Sequence, residues 1–202
     1  MKRVMCLPVS GWFVVASSAA AQGAGAAAQP IGVAAGLQAS YNRIKNLVTL
    51  SADKMSDADY TFKPSQEIRN YGQLWAHVAN FHYGTCAQSL GIPNPNMGNN
   101  LEETATTKAA VVKALADSFA LCDKAFAALT DQTAAEPLTG GRGGPVARGI
   151  LLNRIIEHDN EMYGIGTVYL RLKGQVPPST ELQQQRGGGA GAARGAGGGR
   201  GN

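Results

Sequence analysis

Hydrophobic residues recur every three or four positions over four long stretches of the chain, the period of an amphipathic helix. In the first stretch Leu37, Tyr41, Ile44, Val48 and then Leu50 or Met55 fall on one side, and the pattern ends near Ser56 to Asp59. The segment Tyr60-Thr61-Phe62-Lys63-Pro64-Ser65 reads as extended, because a proline biases the residue before it away from helical geometry. A second helix is predicted to start at Asn70, whose side chain caps the first turn while Gln73, three residues on, reaches back to it. Leu74, His77, Val78, Phe81 and Thr85 then share one face. His77 is therefore expected to point inward, and His82, about 90° away at about 100° per residue, to sit on the flank.

Gly91-Ile92-Pro93-Asn94-Pro95 breaks that helix, and a third is predicted from near Thr106 with Val111, Leu115, Phe119, Cys122, Phe126 and Leu129 as its stripe. Residues 140–144 form a glycine-rich loop, after which Pro145 suits the first position of a fourth helix. That helix has the most regular pattern: Leu151, Ile155, His158, Met162, Ile165, Tyr169 and Leu172 alternate steps of four and three, the seam of a packed bundle. Gly174 is a natural stop and Pro177-Pro178 bars continuation. Four amphipathic helices without a strand pattern predict an all-α four-helix bundle over residues 34–180.

The ends of the chain have a different character. Residues 1–21 carry Lys2 and Arg3, an apolar run from Val4 to Ala16, and then Ser17, Ser18, Ala19, Ala20 and Ala21 before Gln22, the three parts of a secretory signal peptide. The run is shorter than the roughly 20 apolar residues a membrane span needs, so no stable membrane anchor is expected. No cysteine follows it at a lipoprotein cleavage position, and the protein is expected to be periplasmic or secreted. Residues 22–33 read as a flexible Ala/Gly/Gln/Pro linker, and residues 181–202 as a disordered Gly/Ala/Arg tail that cannot bury enough surface to offset its ordering entropy.

Charge matters only once it is located. The formal net charge is +4, but outside residues 1–21 and 183–202, 13 basic residues face 14 acidic ones, so the basic balance says little about the bundle. The Arg-Gly tail has no interleaved aromatic residues for base stacking, and nucleic acid is not expected as a partner. Cleavage after residue 21 removes Cys6 and leaves Cys86 and Cys122. In an oxidising compartment an even pair invites a disulfide, while two buried thiols are the other reading, because sequence does not supply the Cα separation a bridge demands.

Inward-facing His77 and His158, one on each of two helices, are the beginning of a metal site, since neutral imidazole binds first-row divalent ions and bundles build such sites from facing helices. Two histidines satisfied by hydrogen bonds in a core are the alternative. There is no Ser-His-Asp order, no nucleotide-binding loop and no zinc-type cysteine pair. The loop of Gly140 to Gly144 with Arg142 lacks the Lys-Ser/Thr of a phosphate loop and reads as a flexible connection.

Four motifs in order, Gly72-Gln73-Leu74-Trp75-Ala76-His77-Val78-Ala79, His158-Asp159-Asn160-Glu161-Met162-Tyr163-Gly164, Tyr169-Leu170-Arg171-Leu172-Lys173-Gly174 and Val176-Pro177-Pro178, resemble the DinB-like superfamily over about residues 36–179. The resemblance implies a bundle of up-down-down-up connectivity, often a homodimer, and commonly a divalent metal, Zn or Ni among them. That metal is held by one histidine of the second helix and two of the last, four residues apart. Some such proteins are thiol-dependent transferases or isomerases. Carried over, the ligands match His77 and His158, and the third position falls on Met162. Parallel second and third helices, also implied, would bring Cys86 and Cys122 to similar height, where a bridge closes a loop of about 36 residues.

Met162 decides what can be expected of function, because a thioether is a poor ligand for Zn(II) or Ni(II). Three outcomes stand open. The site is lost and Met162 fills the former ligand volume as a core residue; or Glu161, His82 or Asp159 replaces the third ligand; or His77, His158 and Met162 form a His₂Met site that favours Cu(I). The corresponding functions are a bundle with a degenerate or altered centre and no assigned activity, a metal-dependent hydrolase or thiol-dependent transferase acting on a small molecule, and a non-catalytic periplasmic metal-binding or interaction protein. Asp159 or Glu161 could support a ligating imidazole from behind.

Overall fold

The structure, a computed structural model, describes residues 32–139 and 144–195. In chain order its elements are α1 (Val33–Lys54), α2 (Tyr71–Leu90), a single turn α3 (Leu101–Thr104), α4 (Lys108–Ala127), a second short turn α5 (Asp131–Ala134), strands β1 (Pro137–Leu138) and β2 (Val146–Ala147), α6 (Arg148–Leu172) and α7 (Pro178–Gly195). The four long helices α1, α2, α4 and α6 form the bundle and share one hydrophobic core.

Cross-helix contacts set the directions. His82 meets Ser118, and Cys86 is bridged to Cys122 one turn further along both helices, so α2 and α4 run parallel. Gln38 reaches the Phe126 carbonyl near one end of α1 while Lys108 reaches the Asp53 carbonyl near the other, so α1 and α4 are antiparallel. Gly166 lies against Trp75 and Asp159 against His82, so α2 and α6 are antiparallel too. This is the up-down-down-up arrangement.

Local signals explain the helix starts. Asn70 and Gln73 make the reciprocal capping box expected of them, and Thr107 caps α4 through the amide of Ala110. The first amides of α2 are also taken up from the preceding segment: Tyr71 donates to the Phe62 carbonyl and Gly72 to that of Tyr60, both at 2.9 Å. A Cβ on Gly72 would come within 2.9 Å of the Tyr60 ring, which accounts for the glycine that opens the first motif.

The buried faces differ from the predicted stripes on two helices. On α2, His82 is fully buried rather than flanking, whereas the His77 side chain is 28% exposed at the rim. The helix packs against both α4 and α6, and small residues such as Ala76, Ala79 and Cys86 lie in the contact, so the buried arc extends beyond the line of its large apolar side chains. On α6, Ile165 and Leu172 are exposed, and Asp159, Gly166 and Leu170 take their places inside, because α6 packs on α1 and α2 together. On α1, Met55 is buried and Leu50 exposed, while the α4 stripe is buried throughout.

Pro145 does not open the fourth helix. It precedes a two-residue pairing of Leu138 with Val146 and Pro137 with Ala147, and α6 begins only at Arg148. α6 ends at Leu172, with Gly174 in the left-handed conformation just beyond, and Pro178 starts α7, whose Glu181 pairs with Lys54 and whose Leu182 packs on the core, so the bundle extends slightly past residue 180. The leader 1–21, linker residues 22–31, loop residues 140–143 and the last seven residues of the tail lie outside the described structure. Among the described residues no helix is long and apolar enough to cross a membrane.

Candidate functional site

His77 and His158 are brought together across the α2–α6 interface, with ring centroids 5.1 Å apart and planes inclined at 47°. Phe81, one turn along α2 from His77, stacks on His158 at 4.1 Å and 22°. His158 is 13% exposed, and neither of its ring nitrogens makes a hydrogen bond, although both are buried. Its Nδ1 lies 3.7 Å from Asp159 Oδ1, just beyond bonding distance.

Behind His158 lies a polar chain closed to solvent. His82 Nε2 is 2.8 Å from Asp159 Oδ1, His82 Nδ1 is 3.1 Å from Ser118 Oγ, and Ser118 Oγ donates to the Leu115 carbonyl. Serine, histidine and aspartate are thus linked, an arrangement sequence order does not disclose. All three are fully buried, so no substrate can reach the hydroxyl, and the chain cross-links α2, α4 and α6. Burial on its own would raise the Asp159 pKa, but the interaction with His82 and the nearness of His158 hold it below the ordinary carboxyl value.

His77 has different company. Its Nδ1 is 2.8 Å from Glu102 Oε1 on α3, and Arg69, from the segment before α2, donates from Nε to Glu102 Oε2 at 2.7 Å. An Arg69 terminal nitrogen also lies 3.1 Å from His77 Nδ1. Burial lowers the His77 pKa, the bond to Glu102 opposing it. Glu102 is held below the usual carboxylate range: burial pushes it up, but bonds from Arg69 and His77 prevail. Tyr169 OH bonds the Arg69 carbonyl at 2.7 Å, so α6 steadies the segment that carries the arginine. Neither Arg69 nor Glu102 stands in a motif, and only proximity in space reveals them.

Met162, one turn on from His158, is buried and lines a cleft of about 520 Å³ together with Ile68, Arg69, Glu102, Ile165 and Tyr169. Glu161 is exposed on the outer face of α6. Among the described residues no three His, Cys, Asp or Glu side chains are grouped so as to hold a metal ion. The donors around the two histidines therefore do not suit a three-ligand Zn or Ni centre. Met162, one turn from His158 on α6, carries a thioether, a donor that suits a soft ion.

Cys86 and Cys122 form a disulfide between α2 and α4, with Cα atoms 5.1 Å apart. Each lies one turn beyond a member of the His82–Ser118 contact, so the bridge holds the two helices in the register that contact needs.

The sequence model of the DinB superfamily matches residues 41–164 of the chain. Among solved structures, a DinB-like protein from Bacillus cereus has a TM-score of 0.60 at 17% identity, the likeness covering 71% of this chain and 94% of the other. A DinB-like protein from Bacillus subtilis gives 0.54 at 22% identity over 70% and 94%, and a conserved protein from Enterococcus faecalis 0.59 at 15% over 71% and 98%. At such identities the likeness is one of fold. No curated protein matches the chain in sequence.

Proposed function

The chain belongs to the DinB superfamily, and we propose that it is an exported member with an altered metal centre, in which His77 and His158 supply imidazoles, Met162 a thioether, and the bound ion is Cu(I) rather than Zn or Ni. The observation that carries this reading is His158, an imidazole whose two nitrogens are buried without a hydrogen-bond partner, set against a second histidine ring. Leaving a buried polar group unpaired costs about 1–3 kcal/mol, a cost that coordination would remove.

The choice of ion follows from the donors. Zn and Ni call for a third nitrogen or oxygen ligand, and each candidate is otherwise disposed: Glu161 is exposed, and His82 and Asp159 are engaged with each other in the core. What remains is Met162, one turn along α6 from His158, whose sulfur prefers a soft ion. Cu(I) bound there would supply a site for holding or passing on the metal. The chain's own residues would bind it, and Phe81 covers one face of the His158 ring. Export rests on the signal-like residues 1–21 and agrees with the disulfide.

The cleft beside Met162 favours a second reading, in which a small molecule meets the centre and the protein is a metal-dependent hydrolase or thiol-dependent transferase. One experiment addresses the metal claim for both. The purified exported chain is titrated with Cu(I) against a chromophoric chelator, and separately with Zn(II), beside His77→Ala, His158→Ala and Met162→Leu. The expected result is one Cu(I) per chain, lost in both histidine variants and weakened in Met162→Leu, with Zn(II) bound far less tightly. No Cu(I) uptake, or equal uptake in all four proteins, would make the bundle a scaffold with two core histidines.

A further inference from the structure

We propose that Glu102, on the one-turn helix α3, is a positioning residue: it fixes His77 as the tautomer with its proton on Nδ1 and so turns the Nε2 lone pair into the only one this ring can offer. The argument needs no metal. Both hydrogen-bond contacts of His77 are made at Nδ1, one to the Glu102 carboxylate at 2.8 Å and one to the Arg69 guanidinium at 3.1 Å. A guanidinium only donates and an ionised carboxylate only accepts, so Nδ1 cannot satisfy both. Were Nδ1 bare, its lone pair would face a carboxylate oxygen at 2.8 Å, the shorter of the two contacts, and the pair would repel. With a proton on Nδ1 the ring donates to Glu102, and the arginine has its own acceptors in the same carboxylate, at 2.7 Å from Nε and 3.4 Å from the terminal nitrogen.

Arg69 thus holds Glu102, and Glu102 orients His77. This relay ties the segment before α2 and the connection between α2 and α4 to one ring on α2. On the opposite side Asp159 lies nearest Nδ1 of His158, so each histidine has a carboxylate behind the same ring nitrogen. A carboxylate at one imidazole nitrogen sets the tautomer and raises the basicity of the other, which is the role such groups play behind metal-bound histidines. The meaning of the device for metal binding rests on the reading above; the tautomer does not.

The test is a long-range proton–nitrogen NMR spectrum of the ¹⁵N-labelled, chelator-treated exported chain, comparing wild type with Glu102→Gln and Glu102→Asp. In wild type His77 is expected to show a protonated Nδ1 and a bare Nε2. In Glu102→Gln, whose amide can donate to Nδ1, the proton moves to Nε2, and Glu102→Asp retains the wild-type pattern in part. The His82 and His158 signals stay in place, showing that the bundle is intact. Wild type with its proton on Nε2, or a Glu102→Gln spectrum identical to wild type, overturns the proposal. Cu(I) affinity in Glu102→Gln is expected to fall roughly 10- to 100-fold. A tautomer change in a protein whose wild type takes up no metal sinks the metal reading and leaves the positioning role standing. Metal uptake with an unchanged tautomer does the reverse.

Discussion

Asp159 Oδ1 lies 2.8 Å from His82 Nε2 with neither side chain exposed, and Asp159 Oδ2 has no hydrogen-bond partner, so the carboxylate at the centre of the bundle depends on His82. Removing one member leaves the other buried without its partner, a change that costs about 3–5 kcal/mol. Asp159→Ala should lower the unfolding free energy by that order in urea titrations. A loss below about 1 kcal/mol, the size of an ordinary substitution, would mean that the pair does not hold α2 to α6.

Gly166 faces the Trp75 indole so closely that a Cβ at this position would come within 2.7 Å of Cζ2 and 2.9 Å of Cη2. Trp75 is fully buried and has no free direction to yield. Gly166→Ala is expected to cost about 1–3 kcal/mol through overpacking. With Trp12 in the leader, Trp75 is the single tryptophan of residues 22–202, so its fluorescence should shift as the indole is displaced. A variant with wild-type stability and emission would contradict the close approach.

The disulfide spans 36 positions of chain. Closing a loop of that length in the unfolded state contributes about 4 kcal/mol in the chain-entropy account. Cys86→Ser with Cys122→Ser should lose stability of that order, and non-reducing mass spectrometry of the native protein should find no alkylatable thiol at either position. Two labelled thiols in the folded, unreduced protein would count against the bridge.

Lys173, just past α6, binds Asp59 at 2.5 Å in the segment after α1 and lies 4.9 Å from the Phe62 ring. Bonds from Lys173 and then Ser56 hold the Asp59 carboxyl below its ordinary value. A lowered folded-state value means that this contribution to stability is complete above the unfolded carboxyl value and is lost as pH falls through the folded one. NMR titration should place the Asp59 midpoint below that of an ordinary aspartate, and Lys173→Ala should move it upward. An unmoved midpoint would show the contact to be incidental.

Much of this architecture is legible without coordinates. Periodicity marks the four long helices, Asn70 with Gln73 marks the start of α2, and Gly174 before Pro177-Pro178 marks the end of α6, because caps and breakers act through residues a few positions apart. His77 and His158 stand out for the same reason: each falls in a helical pattern with its neighbours in a motif. Pro145 misleads because a short strand pairing, set by residues on both sides of the loop, takes precedence over its local preference for a helix start.

Local pattern along the chain carries the set of amphipathic helices, the family, the two candidate ligands and the methionine in the third position. Packing between helices sets the rest: His82 lies in the core and His77 at the rim, Asp159 rather than Ile165 belongs to the inner face of α6, and Glu102 and Arg69 close on His77. The physical reason is that a stripe of large apolar residues records one packing face, whereas α2 and α6 each pack against two neighbours. How far round a helix burial extends depends on where those neighbours sit. Glu102 is 25 positions from His77 in the chain and 2.8 Å from it in space, a contact set by the path of the connection between α2 and α4 and by no period in the sequence.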